Sequence, residues 1–113
     1  MQVPLNESAH VVLDGSGNGT AKIGPISARE VWHPGNVHVS ASTNTAEAEC
    51  ATYIGDSPIA ANFVDATFSG SSGDSSDRCN SYTVKVGWFV WAVWTGGDAG
   101  ATATLSVTGT KDV

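Results

Sequence analysis

The run Trp88-Phe89-Val90-Trp91-Ala92-Val93-Trp94 constrains the fold more than any other part of this chain. In an extended strand alternate side chains point to opposite faces, so Trp88, Val90, Ala92 and Trp94 share one face and Phe89, Trp91 and Val93 the other. Both faces are apolar and both need cover, which places the strand centrally, with an opposing sheet on one side. A loop, a partner subunit or a stacked sugar ring could cover the second side. Each hidden ring removes about 150–250 Å² from water, worth on the order of 4–6 kcal/mol as an upper bound. At 113 residues the chain is long enough for one core and too short for two, so residues 1–113 form a single domain.

Elsewhere, short alternating segments are separated by Gly, Pro, Asn and Asp, without helical periodicity. Residues 10–14 run into Gly15-Ser16-Gly17-Asn18-Gly19, a turn tolerant of positive φ, and residues 20–26 return with Ala21 and Ile23 on one face, which reads as a hairpin. Gly24-Pro25 ends or bulges the return strand and marks it as an edge, because proline donates no ladder hydrogen bond. Beyond Glu30-Val31-Trp32-His33 and Pro34-Gly35-Asn36, the residues Val37, Val39 and Ala41 face inward while His38, Ser40 and Ser42 face water. Ala48, Cys50, Thr52 and Ile54 alternate with Glu47, Glu49, Ala51 and Tyr53, so Cys50 is read as a buried thiol.

Residues 62–69 form a further strand, and the Ser/Gly/Asp-rich residues 70–77 read as a loop. Tyr82, Val84 and Val86 then alternate with Cys79, Ser81, Thr83 and Lys85. After the turn Gly96-Gly97-Asp98-Ala99-Gly100, Ala101, Ala103, Leu105 and Val107 alternate with Thr102, Thr104, Ser106 and Thr108, and Gly109 closes the strand. About eight strands at these spacings define an all-β fold, an antiparallel β-sandwich of jelly-roll-like kind. Residues 1–8 and 110–113 read as loose termini.

Charge narrows the function. Five basic residues, Lys22, Arg29, Arg78, Lys85 and Lys111, are scattered against eleven acids for a net charge of -6. Neither nucleic acid nor an anionic membrane is an expected partner, since no cluster of cations exists to displace counterions or hold lipid headgroups. The opening Met1-Gln2-Val3-Pro4-Leu5-Asn6-Glu7 has no basic n-region and no apolar h-region, so synthesis in the cytoplasm is expected. There Cys50 and Cys79 would stay reduced, whereas outside a cell they could staple neighbouring strands.

The search for chemistry returns little. Asp14-Gly15-Ser16-Gly17-Asn18-Gly19 matches the first half of a calcium loop, but its twelfth position is Pro25 where a bidentate Glu is needed, so a glycine-rich turn is the better reading. His10, His33 and His38 have no zinc-motif spacing, and Asp74, Asp77 and Arg78 read as a solvated loop. No Gly-x-Ser-x-Gly elbow, Walker loop or dinucleotide fingerprint is present. The chain is therefore expected to be no enzyme and to hold no cofactor or metal. Its candidate site is the aromatic strand: Phe89 and Trp91 as interface or ligand-stacking residues, Trp88 and Trp94 in the core, or the two sets exchanged.

Val11-Val12-Leu13-Asp14-Gly15-Ser16-Gly17-Asn18-Gly19-Thr20, followed by Ile23-Gly24-Pro25 and Arg29-Glu30-Val31-Trp32, resembles small structural proteins encoded by tailed bacteriophages of actinobacteria. The closing Ala92-Val93-Trp94-Thr95-Gly96-Gly97-Asp98-Ala99-Gly100-Ala101-Thr102-Ala103-Thr104, through Gly109-Thr110, extends the resemblance over nearly the whole chain, most weakly over residues 46–80. The resemblance implies a virion component, a minor tail protein or capsid decoration protein, assembled in the host cytoplasm and bound to other virion proteins. It brings no catalytic residues. A homo-oligomer is expected from the excess apolar surface. The alternative is a carbohydrate-binding module that uses the aromatics with Asp74 and Asp77 to hold a host surface glycan.

Overall fold

The computed structural model describes residues 1–43, 45–67, 75–78 and 82–113. Its strands are β1 (Gln2–Val12), β2 (Gly19–Ile23), β3 (Val31–Ala41), β4 (Glu49–Gly55), β5 (Phe63–Ala66), β6 (Ser75–Arg78), β7 (Val84–Lys85), β8 (Phe89–Thr95) and β9 (Thr102–Asp112), with one 3-10 turn at Ala60–Asn62. The first sheet runs β1-β9-β3-β6, with the two-residue β7 also on β3, and the second runs β2-β8-β4-β5. All pairs are antiparallel. The chain crosses between sheets at most connections, so two four-stranded layers wrap one core in the jelly-roll-like sandwich expected of the sequence.

Alternation decides what is inside. Val90, Ala92 and Trp94 of β8 face Val37 and Val39 of β3 and Ala103, Leu105 and Val107 of β9 across the core, and all are buried. Ala48, Cys50, Thr52 and Ile54 are buried while Glu47 and Glu49 are exposed, as their alternation requires. Cys79 lies outside the described residues. The strand ending at Ile23 before Gly24-Pro25 is an edge, as read from the proline.

Several expectations are corrected. Residues 10–14 and 20–26 form no hairpin: β1 pairs with β9 and β2 with β8, so the glycine-rich loop passes over one end of the sandwich from sheet to sheet. Leu13 is drawn into the core there, its N–H donating to the Ala101 carbonyl at 2.8 Å and its carbonyl accepting from Gly100 N at 3.0 Å. The termini are not loose. The β1–β9 ladder extends from Gln2↔Asp112 to Val12↔Thr102, and Val113 N donates to the Met1 carbonyl at 2.9 Å. An edge strand with one wet face keeps this order through backbone bonds, which leave little trace in side-chain pattern.

The polar stretch of residues 70–77 is only partly a loop, because Ser75–Arg78 pairs with β3 as an edge strand; residues 70–74 lie outside the described residues. Of the strand expected over residues 79–86, the described residues 82–86 show Val84–Lys85 as strand; residues 79–81 lie outside the described residues. That over residues 62–69 contracts to Phe63–Ala66, because Asn62 belongs to the 3-10 turn, and Phe68 and Ser69 lie outside the described residues. Trp88 is not a core residue: it precedes β8 at 37% exposure, its ring under Lys85 Nζ at 4.6 Å, because Gly87 at φ 88 turns the chain just before it. Trp94 is fully buried, as read.

Pro34-Gly35-Asn36 does not break β3. It forms a bulge at which the register against β9 shifts between Pro34 and Asn36. Among the described residues, β7 pairs with Val31 and Trp32 and β6 with Asn36 to Val39, so Pro34 sits in the gap between these flanking strands. Gly109 lies opposite Pro34 at φ 154, and a Cβ there would collide with the His33 carbonyl and Gly35 N. Gly109 therefore continues β9 where the sequence suggested that it ended. A second obligatory glycine, Gly17 at φ 77, packs against the Gly97 backbone and accepts its N–H at 3.0 Å.

Two predictions follow from this packing. Gly109→Ala is expected to lower stability by about 2 kcal/mol or more in urea unfolding, from backbone strain and steric collision together; an unchanged midpoint would show that the bulge relaxes freely. Trp94→Ala should cost about 3–5 kcal/mol and Trp88→Ala under about 1 kcal/mol, a contrast that thermal unfolding reads directly.

Candidate functional site

The outward face of the second sheet carries a row of side chains in register. Lys22 of β2 is opposite Trp91 of β8, Trp91 is opposite Tyr53 of β4, and Tyr53 is opposite Phe63 of β5. Odd positions of β8 point away from the core, so Phe89 and Val93 join Trp91 on this face, flanked by Ala51. Phe89 and Trp91 meet edge to face at 5.6 Å between centroids, and Tyr53 and Phe63 do so at 5.9 Å. Such pairs are worth about 0.5–1.5 kcal/mol beyond their burial. The row is nonetheless accessible: Trp91, Tyr53 and Phe89 are half-buried and Phe63 is 49% exposed.

Two contacts fix its geometry. Trp91 Nε1 donates to the Gly55 carbonyl at 3.1 Å, which holds the indole across the sheet and satisfies its polar atom within the protein. Lys22 Nζ lies 4.5 Å from the centroid of the Phe89 ring and 5.0 Å from that of Trp91, so one ammonium covers both rings.

Of the four residues singled out in the sequence, the structure brings Phe89 and Trp91 together on this face, buries Trp94 beneath it and sets Trp88 apart at the end of the sandwich. Lys22, Tyr53 and Phe63 complete the row and were missed. Their alternation placed Lys22 and Tyr53 outside the core, but cross-strand register, which the sequence does not carry, is what aligns them. Asp77 lies in β6, at the edge of the first sheet, so the backbone does not bring it to the aromatic row; Asp74 is outside the described residues.

The half calcium loop has an internal use. Asp14 Oδ1 accepts the Ser16 N–H at 2.9 Å and the Asn18 N–H at 3.0 Å, and these backbone donors, Asn18 first, hold the carboxyl below its usual range. His10 Nδ1 is 3.0 Å from Thr104 Oγ1, His33 Nε2 is 2.9 Å from Asp112 Oδ2, and His38 is exposed on β3. Among the described residues no three His, Cys, Asp or Glu side chains converge as a metal site would require.

A groove of about 380 Å³ opens between the sheets at the end where the termini meet. Its polar lining is Glu7, Lys22, Glu30 and Lys111, and its apolar lining Ile23, Ile26, Trp32 and Phe89. Lys111 Nζ donates to Glu30 Oε1 at 2.9 Å, with both side chains largely covered. Trp32 is 3% exposed, and its buried Nε1–H lies beside the Glu30 carboxylate outside hydrogen-bonding geometry. The Lys111 hydrogen bond is the main reason that the Glu30 carboxyl sits below its ordinary value of 4.5, and Glu30 in turn raises Lys111 above 10.5.

Compared with known proteins, the chain matches no family model and none of the curated proteins.

The lowered Glu30 pKa sets the sign of a pH effect. The pair stabilises the fold above the unfolded carboxyl pKa and is lost as pH falls through the lower folded value; at the alkaline end it is lost as pH rises through the raised Lys111 value. Glu30→Gln should thus be less stable than the parent at neutral pH, and the two urea-unfolding curves should converge as pH falls below 4. A difference that stays constant with pH would refute this role of the pair.

Proposed function

We propose that this chain is a non-enzymatic structural component of a bacteriophage particle, a minor tail or capsid decoration protein. It is assembled in the host cytoplasm and held in place through the outward face of the second sheet. The observation that carries the reading is the cross-strand row Lys22, Trp91, Tyr53 and Phe63, an aromatic surface left open on a sheet whose other face is fully packed. Aromatic rings that stay ordered yet accessible suit a protein contact, where they supply large area at low entropic cost. The resemblance of residues 11–32 and 92–110 to actinobacterial phage structural proteins supplies the setting. The jelly-roll-like sandwich is compatible with that setting by analogy alone, since capsid and lectin domains both use it.

A sugar ring on the same face is the competing reading. Lys22 already occupies the ring faces of Phe89 and Trp91 on which a pyranose would stack, which favours a protein partner there. The matching surface would present aliphatic side chains to the rings and a carboxylate to Lys22. Whether it belongs to a second copy of the chain or to another virion protein is read from the absolute mass in solution, by light scattering over a range of concentrations.

The test is incorporation. Trp91→Ala is expected to fold, with a loss of stability near 1–2 kcal/mol from the half-buried ring and its hydrogen bond, and to be missing from purified particles in which mass spectrometry finds the parent chain. Absence of the parent chain from particles, or normal incorporation of a folded Trp91→Ala chain, would overturn the proposal.

A further inference from the structure

The groove between the sheets has a composition distinct from that of the aromatic row. Two cations, Lys22 and Lys111, and two carboxylates, Glu7 and Glu30, line it with no net charge. An ionic ligand would meet a like charge within the groove for every opposite one. A hydroxyl group suits it better, because each hydroxyl both donates and accepts: Lys111 retains N–H groups beyond the one given to Glu30, and the carboxylates retain lone pairs. Beside them Trp32 buries an indole N–H that stays outside hydrogen-bonding geometry to the neighbouring Glu30 carboxylate. An unmade buried donor is costly, and an incoming oxygen that reaches it would be bound with corresponding gain. Ile23 and Ile26 supply apolar wall for the C–H faces of a ring-shaped ligand.

We infer that this groove is a binding site for a neutral polyhydroxylated ligand, a single sugar unit, held between the Lys111–Glu30 pair and the wall of Ile23 and Ile26. The site adjoins the aromatic row, sharing Lys22 and Phe89 with it, and does not depend on the assembly role proposed for that row. It sits beside the loop that carries Ile26, whose side chain is 94% exposed at the groove rim.

The test is titration of the isotopically labelled full chain with free glucose, galactose, mannose and N-acetylglucosamine, followed by amide and indole NMR. With at least one sugar, the Trp32 indole N–H and the backbone amides of Lys22, Gly24 and Lys111 should shift along one saturating curve. Glu30→Gln should weaken binding by about tenfold, as loss of a charge-assisted hydrogen bond requires. If that variant does not fold, Glu7→Gln, altered at an exposed position on the rim, should still weaken it. Phe63→Ala, at the far end of the aromatic row, should leave sugar binding unchanged, which separates this site from that row. The inference is overturned if no sugar in the panel shifts these resonances, if the shifts centre on Trp91 and Tyr53, or if acetate or methylammonium moves them and the sugars do not.

Discussion

Strand β9 is held on both sides, by β1 from Val12↔Thr102 to Gln2↔Asp112 and by β3 along its full length, and the first sheet depends on this double ladder. Because β9 is central, its inward residues Ala103, Leu105 and Val107 are fully buried and present a continuous wall to β8 of the other sheet. The bulge at Pro34 is tolerated because Gly109 of β9 leaves it room. The Lys111–Glu30 pair exists because β9 runs on past that glycine. Had the strand stopped at Gly109, the groove would lack Lys111, Glu30 its ion-pair partner and the two termini their common anchor.

The sandwich was legible where burial imposes a period of two. The stretches 48–54 and 101–107 assign every inward residue correctly, because each strand has one dry face and one wet face. Legibility failed where backbone pairing does the ordering. Gln2–Val12 has Leu5 as its one fully buried residue, and Ser75–Arg78 is polar throughout, so neither segment announced itself as a strand. Turn chemistry misled at Asp14 to Gly19, whose residues suit a hairpin but whose neighbours belong to different sheets.

The site was half legible for a related reason. The two-faced apolar run located Phe89 and Trp91, but it could not show that Gly87 turns Trp88 out of the strand. Tyr53, Phe63 and Lys22 fall on separate elements, Lys22 and Phe63 at the two ends of the row 41 residues apart in sequence, joined only by register. The groove was invisible altogether, since its lining comes from both sheets and the connection between β2 and β3. Of the five cations scattered along the sequence, Lys22 and Lys111 meet at the groove, and Lys22 also covers the rings of the neighbouring row.

The meeting of the termini has a mechanical consequence. Met1 and Val113 lie side by side at one end of the antiparallel β1–β9 pair. Tension applied through both ends would load the terminal rung alone and peel the ladder open one hydrogen bond at a time, where a pull from opposite ends would shear all the rungs together. A chain of this build that bears load would therefore need to carry it across its sheet faces, and any segment fused to either terminus would leave from the same end, beside the groove.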